Sequence, residues 1–91
     1  SSSSELVAKL MNDPNERVRR AAIQAAGSSS EETLHEDLTA SLRHPSPVVQ
    51  LEAARQLHRM GNEEGSKALR RLIASTDAEI RRGVLAEASL S

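Results

Sequence analysis

The chain has 91 residues, 12 Lys plus Arg against 13 Asp plus Glu, a formal charge of −1 at pH 7, and no Cys, Phe, Tyr or Trp. Without cysteine there is no disulfide framework, thiolate metal centre or thiol nucleophile, and without aromatic rings there is no stacking platform for nucleobases. Near-neutral charge argues against a dedicated nucleic-acid binder, no apolar run approaches the ~18 residues of a membrane span, and Ser1 to Glu5 lack a signal pattern, so the expectation is one small, soluble, cytoplasmic domain over residues 1–91 with no cofactor.

The first predicted helix, 4–12, sets Val7, Leu10 and Met11 at i, i+3, i+4, the spacing of an apolar stripe. Pro14 stops it, and Asn15 is placed to cap a second helix, 16–27, in which Val18, Ala22 and Ala26 continue a stripe intended for the core. Gly27 is read as its left-handed C-terminal residue. The third helix, 31–43, opens on Glu31 and Glu32, with Glu36 and Asp37 following, and acidic side chains there oppose the positive end of the helix dipole. Ser29 with Glu32 has capping-box spacing, as do Ser2 with Glu5. Pro45 ends this helix, Ser46 caps a fourth, 47–60, Pro47 takes its first position, and Gly61 closes it. A fifth helix covers 63–74, and Asp77 caps a sixth, 78–89. No segment alternates with a period of two, and strands are not expected.

These elements repeat. Sliding the chain against itself by 31 residues, without a gap, aligns Val18, Val49 and Ile80, and likewise Val7, Leu38 and Leu69. The same shift aligns Met11, Leu42 and Ile73; Ala22, Ala53 and Val84; Ile23, Ala54 and Leu85; and Ala26, Leu57 and Ala88. Each unit (approximately 1–30, 31–61 and 62–91) is a helical hairpin too short to hold its shape alone, and three hairpins side by side can bury the shared stripes. A core built on Leu, Val, Ile and much Ala predicts a stability of only a few kcal/mol.

The stretch Asp13-Pro14-Asn15-Glu16-Arg17-Val18-Arg19-Arg20-Ala21-Ala22-Ile23-Gln24-Ala25-Ala26-Gly27 resembles the second-helix signature of HEAT repeats, and more narrowly the short phycobilisome-lyase type. The resemblance implies an all-α, right-handed α-solenoid of three hairpins and six helices. It also implies a non-catalytic protein-interaction or scaffolding module, whose second helices line the concave, partner-binding side. In such repeats an Asp in the turn and an Arg six residues on form a ladder between units, which would fall to Asp13 and Arg19; the later units carry His44 with Gln50 and Ser75 with Arg81.

On that face the candidate partner-binding residues are Arg17, Arg20, Val48, Leu51, Arg55 and Arg82: an apolar centre with an arginine rim. The alternative is that Val48 and Leu51 pack under arginine stems and meet no partner. A nucleic-acid-contacting surface through Arg17, Arg20, Arg55, Arg59 and Arg82 is the second reading, weighed against the carboxylates Glu16, Glu52 and Glu79 among them. His35, His44 and His58 have no metal-ligand spacing, and no Ser stands in a nucleophile motif, so neither a metal nor catalysis is expected. Leu85 and Leu90 are offered to a neighbour at the end of the third unit, and neither end has a polar cap, which leaves two alternatives open: a domain of a longer protein, covered by an adjoining domain, or self-association through the ends.

Overall fold

The computed structural model describes residues 2–89, the Ser2 side chain excepted, so the Ser2–Glu5 capping pair and Leu90 lie outside the described structure. Six helices follow in order: α1 (Ser2–Leu10), α2 (Glu16–Ser28), α3 (Glu32–Ser41), α4 (Pro47–Arg59), α5 (Glu63–Leu72) and α6 (Ala78–Ser89). No strand occurs among the described residues. Consecutive helices pair as hairpins, the second helices form the row α2–α4–α6, and α4 at its centre touches α2, α3, α5 and α6. The assembly measures 37 × 26 × 20 Å.

The 31-residue register is written into the main chain. Asn12, Arg43 and Ala74 each donate to the carbonyl three residues back at the end of a first helix, and Arg19, Gln50 and Arg81 each donate to the N-cap carbonyl of a second. Three different side chains also do one job in the turns. Asp13 Oδ1 accepts the Asn15 amide at 2.8 Å, His44 Nδ1 accepts the Ser46 amide at 3.0 Å, and Ser75 Oγ accepts the Asp77 amide at 3.1 Å. Six residues on, Gln50 Nε2 donates to the His44 carbonyl at 2.6 Å and Arg81 Nη1 to the Ser75 carbonyl at 2.7 Å. These bonds tie a helix to its own turn. The expected Asp13–Arg19 rung does not form, because Arg19 reaches Glu52 in the next unit instead.

Caps follow the same logic with two exceptions. Asn15 Oδ1 accepts from Arg17 and Val18 at 2.9 and 3.2 Å, and Asp77 Oδ1 accepts from Glu79 at 2.8 Å, each satisfying amides that have no partner inside the helix. Ser46 makes no side-chain cap bond, and Pro47 after it needs none. Ser29 ends α2 and accepts the Glu31 amide at 3.0 Å, so it shapes the turn rather than forming a capping box on α3. Gly61 has φ +79° and closes α4 as read; Gly27 lies inside α2 with an ordinary backbone and instead gives room to the Gln56 side chain.

The core is a continuous cluster through all three hairpins, with Met11, Ile23, Leu38, Leu57 and Ile80 among its fully buried members. Val49 and Ile80 are 4% and 2% exposed, but Val18 in the same column is 37% exposed. The two buried members each have a preceding second helix to pack on, and Val18 has none. Sequence periodicity cannot see that difference.

Candidate functional site

The second helices carry seven arginines against four glutamates, whereas α1, α3 and α5 carry six carboxylates against four cations. The positive charge is therefore gathered on one layer. Two of its glutamates are buried, and each joins neighbouring units. Glu52 on α4 is 8% exposed; Arg19 of α2 grips it through Nε–Oε1 at 2.9 Å and Nη2–Oε2 at 3.1 Å, with Arg20 Nε at 3.9 Å. Glu87 on α6 is 1% exposed and accepts from Arg55 Nε at 3.1 Å and from Arg59 through Nε at 2.8 Å and Nη2 at 2.9 Å. The planar guanidinium fork matches a carboxylate in two-point contact, which fixes the offset between α2, α4 and α6 as well as holding them together.

Burial pushes the Glu87 carboxyl up, but the hydrogen bonds from Arg59 and Arg55 outweigh it and leave the group below the ordinary carboxylate range. The same bond to Glu87 raises the Arg59 guanidinium against the opposing effect of its own burial, and the bond to Glu52 does so for Arg19. These arginines are neutralised inside the protein. No buried polar side-chain atom is left without a partner among the described residues.

Beside this network lies an open groove of about 390 Å³ that spans α2, α4 and α6. Five of the six candidate residues line it: Arg20, Val48, Leu51, Arg55 and Arg82. Arg17 does not; it stands exposed in the first turn of α2. Within the groove the roles differ from the sequence reading. Val48 is 37% exposed and faces outward as expected, whereas Leu51 is 8% exposed and packs on Gly83, where a Cβ would lie 2.5 Å from Leu51 Cδ2. Leu51 belongs to the core. Arg55 is held by Glu87, and Arg82 pairs with exposed Glu79 on its own helix, so Arg20 and Arg82 are the cations best placed to meet a visitor.

The histidines hold the frame. His35 Nε2 bonds the Ser29 carbonyl, His44 accepts in its turn, and His58 Nδ1 meets Ser66 Oγ at 2.9 Å. No group of three or more His, Asp or Glu converges as metal ligands among the described residues, and no helix there is long and apolar enough to cross a membrane.

Glu52 and Glu87 are the residues that sequence reasoning undervalued. Their columns read Ala21, Glu52, Gly83 and Ala25, Gln56, Glu87, so they carry no repeat signal. The available clue was a carboxylate about thirty residues after a pair of arginines on the preceding second helix.

Comparison with protein-family models finds that the model described as HEAT repeats matches residues 3–89. No curated protein and no solved structure gives a match.

Proposed function

From the premise that this chain belongs to the HEAT-repeat family, we propose that it is a non-catalytic protein-interaction module whose second-helix groove receives a partner segment. HEAT repeats are commonly protein-interaction scaffolds, and the family is typically non-catalytic. The observation that carries the proposal is the groove over α2, α4 and α6, which solvent-facing Val48 lines together with Arg20 and Arg82. Arginine is enriched at the energetic centres of protein interfaces, and an apolar side chain beside it adds area that binding can remove from water. The excess of arginine on this layer favours a segment that brings an apolar side chain and a neighbouring carboxylate.

The nucleic-acid reading loses ground to the same geometry. Of its five arginines, Arg55 and Arg59 are tied to buried Glu87, which reduces the charge free for phosphates.

The test uses peptides selected from a displayed random library against the intact chain. Selected peptides are expected to carry an apolar residue next to an acid and to lose binding at least tenfold to a Val48→Asp/Arg82→Glu variant of unchanged helicity. Peptides that bind the variant as well as the wild type refute the assignment. Leu51 is left untouched in this design because a charge there would disrupt the core.

A further inference from the structure

The arginines between α2 and α4 are not used up inside the fold. Arg19 and Arg20 share one carboxylate, Glu52, and Arg55 and Arg59 share another, Glu87, so four guanidinium groups face two carboxylates and two positive charges are left over. Hydrogen-bond donors are left over as well. Arg20 reaches Glu52 only as an ion pair at 3.9 Å and makes no hydrogen bond among the described residues, Arg55 gives Glu87 its Nε alone, and Arg59 keeps its Nη1. These donors come together. Arg20 and Gln24 stand one turn apart on α2, Arg55, Gln56 and Arg59 lie on the facing side of α4, and between them is a pocket of about 40 Å³. The Gln24 and Gln56 side chains, also without a hydrogen bond among the described residues, add neutral donors. Glu52 is the one carboxylate in the lining, and both its oxygens already accept from Arg19.

We propose that this pocket is a carboxylate site, filled by an acidic side chain of the partner segment; the source of the carboxylate rests on the function proposed above. The molecule shows the chemistry twice: Glu52 and Glu87 are carboxylates held by these same arginine pairs, and a third would take the donors they leave. The space suits the group. One water needs roughly 10–15 Å³ of such volume, so about 40 Å³ admits a flat three-atom carboxylate more readily than a tetrahedral phosphoryl group. The pocket adjoins the groove and shares Arg20, Glu52 and Arg55 with it. Along α4 the groove runs from Val48 to Arg55 and the pocket from Glu52 to Arg59, an offset of one helical turn, or about 6 Å. About two residues of an extended segment cover that distance, which sets the spacing between the apolar side chain on Val48 and the acid in the pocket.

Two arms separate the site from its source. In the first, the isotope-labelled chain is titrated with glutarate to about 50 mM at constant ionic strength, the range for a weak single site, and the side-chain amide resonances of Gln24 and Gln56 are followed. Both are expected to move and saturate together, while that of Gln50, tied to the His44 carbonyl, stays still. Gln24→Glu puts a carboxylate into the pocket at an exposed position, keeps the helicity, and should weaken glutarate at least tenfold as read at Gln56. No saturable shift, equal affinity in the variant, or tighter binding of inorganic phosphate than of glutarate overturns the site. In the second arm, a peptide selected against the intact chain has its acid replaced by the matching amide. The loss is expected to be about tenfold on the wild type and absent on Gln24→Glu. An equal loss on both overturns the pocket as the seat of that acid and leaves the groove reading intact. A peptide coupled to Gln24→Glu but indifferent to Val48→Asp/Arg82→Glu supports the pocket and refutes the groove.

Discussion

Glu87→Gln is the substitution that asks most of the structure. The glutamate side chain is 2% exposed and takes three hydrogen bonds of 2.8 to 3.1 Å from Arg55 and Arg59, whose own side chains remain 26% and 45% exposed. Glutamine keeps the shape and one carbonyl oxygen but turns an NH₂ toward guanidinium donors. One or two charge-assisted bonds, worth ~1.5–3 kcal/mol each, are lost and a buried donor is left unpaired; the arginines recover part of this by rehydrating, so the net cost is about 2–3 kcal/mol. For a chain of 91 residues that corresponds to a fall in Tm of about 10–20 °C. Far-UV circular dichroism in heat and urea is the assay, because the chain has no Trp or Tyr to report by fluorescence. The pH dependence has a definite sign. The folded carboxyl lies below its ordinary value of 4.5, so its contribution is complete above that pH and disappears as pH falls through the folded value. The gap between wild type and Glu87→Gln should therefore be constant from pH 5 to neutrality and narrow at lower pH. A variant as stable as wild type at neutral pH, or a gap that widens on acidification, refutes the reasoning.

Other substitutions separate causes that look alike in sequence. Gly65→Ala should destabilise by about 2–3 kcal/mol, because its Cβ would lie 2.5 Å from the His58 amide nitrogen and 2.6 Å from Leu57 Cβ, whereas at Gly27 an added Cβ crowds the Gln56 side chain, whose amide end can swing away but whose Cβ stays 3.1 Å off, and the ~1 kcal/mol gain in helix propensity offsets part of that, so Gly27→Ala should cost less than Gly65→Ala; urea midpoints compare the two. Asn15→Ala should cost about 1 kcal/mol and Ser46→Ala little, since only the first makes side-chain cap bonds. Glu79→Gln removes a pair whose side chains are 65% and 82% exposed and should stay within ~0.5 kcal/mol of wild type in the same melts. Leu57→Ala, at a side chain with no exposure at the centre of the stack, should cost about 2–5 kcal/mol and leave the chain largely unfolded at 37 °C by circular dichroism.

The fold was legible because the repeat supplies three readings of every position. Met11, Leu42 and Ile73, or Asn15, Ser46 and Asp77, identify a role that one copy alone would leave ambiguous, and the helices begin within two residues of the expected places. The first helices end up to two residues early because their last turn tightens into bonds three residues back. What the repeat could not show is whatever differs between units. Val18 lost its cover through its place in the stack, Leu51 gained cover from Gly83 in the next unit, and Glu52 and Glu87 occur in columns where the other units have Ala, Gln or Gly. Helical-wheel geometry assigns a face within one helix; burial on that face is decided by a neighbour about thirty residues away.

The central claim is that the three second helices stand in a row, each packed only on its neighbours. Because the chain has no cysteine, spin labels can be placed at introduced cysteines in the equivalent positions Arg17 and Glu79 of α2 and α6. Two successive helix spacings of ~8–10 Å put these sites about 16–20 Å apart by double electron–electron resonance, and a distance distribution centred there is predicted. A separation near a single helix spacing, as in a closed bundle with α2 against α6, would contradict the stacked arrangement and everything derived from it.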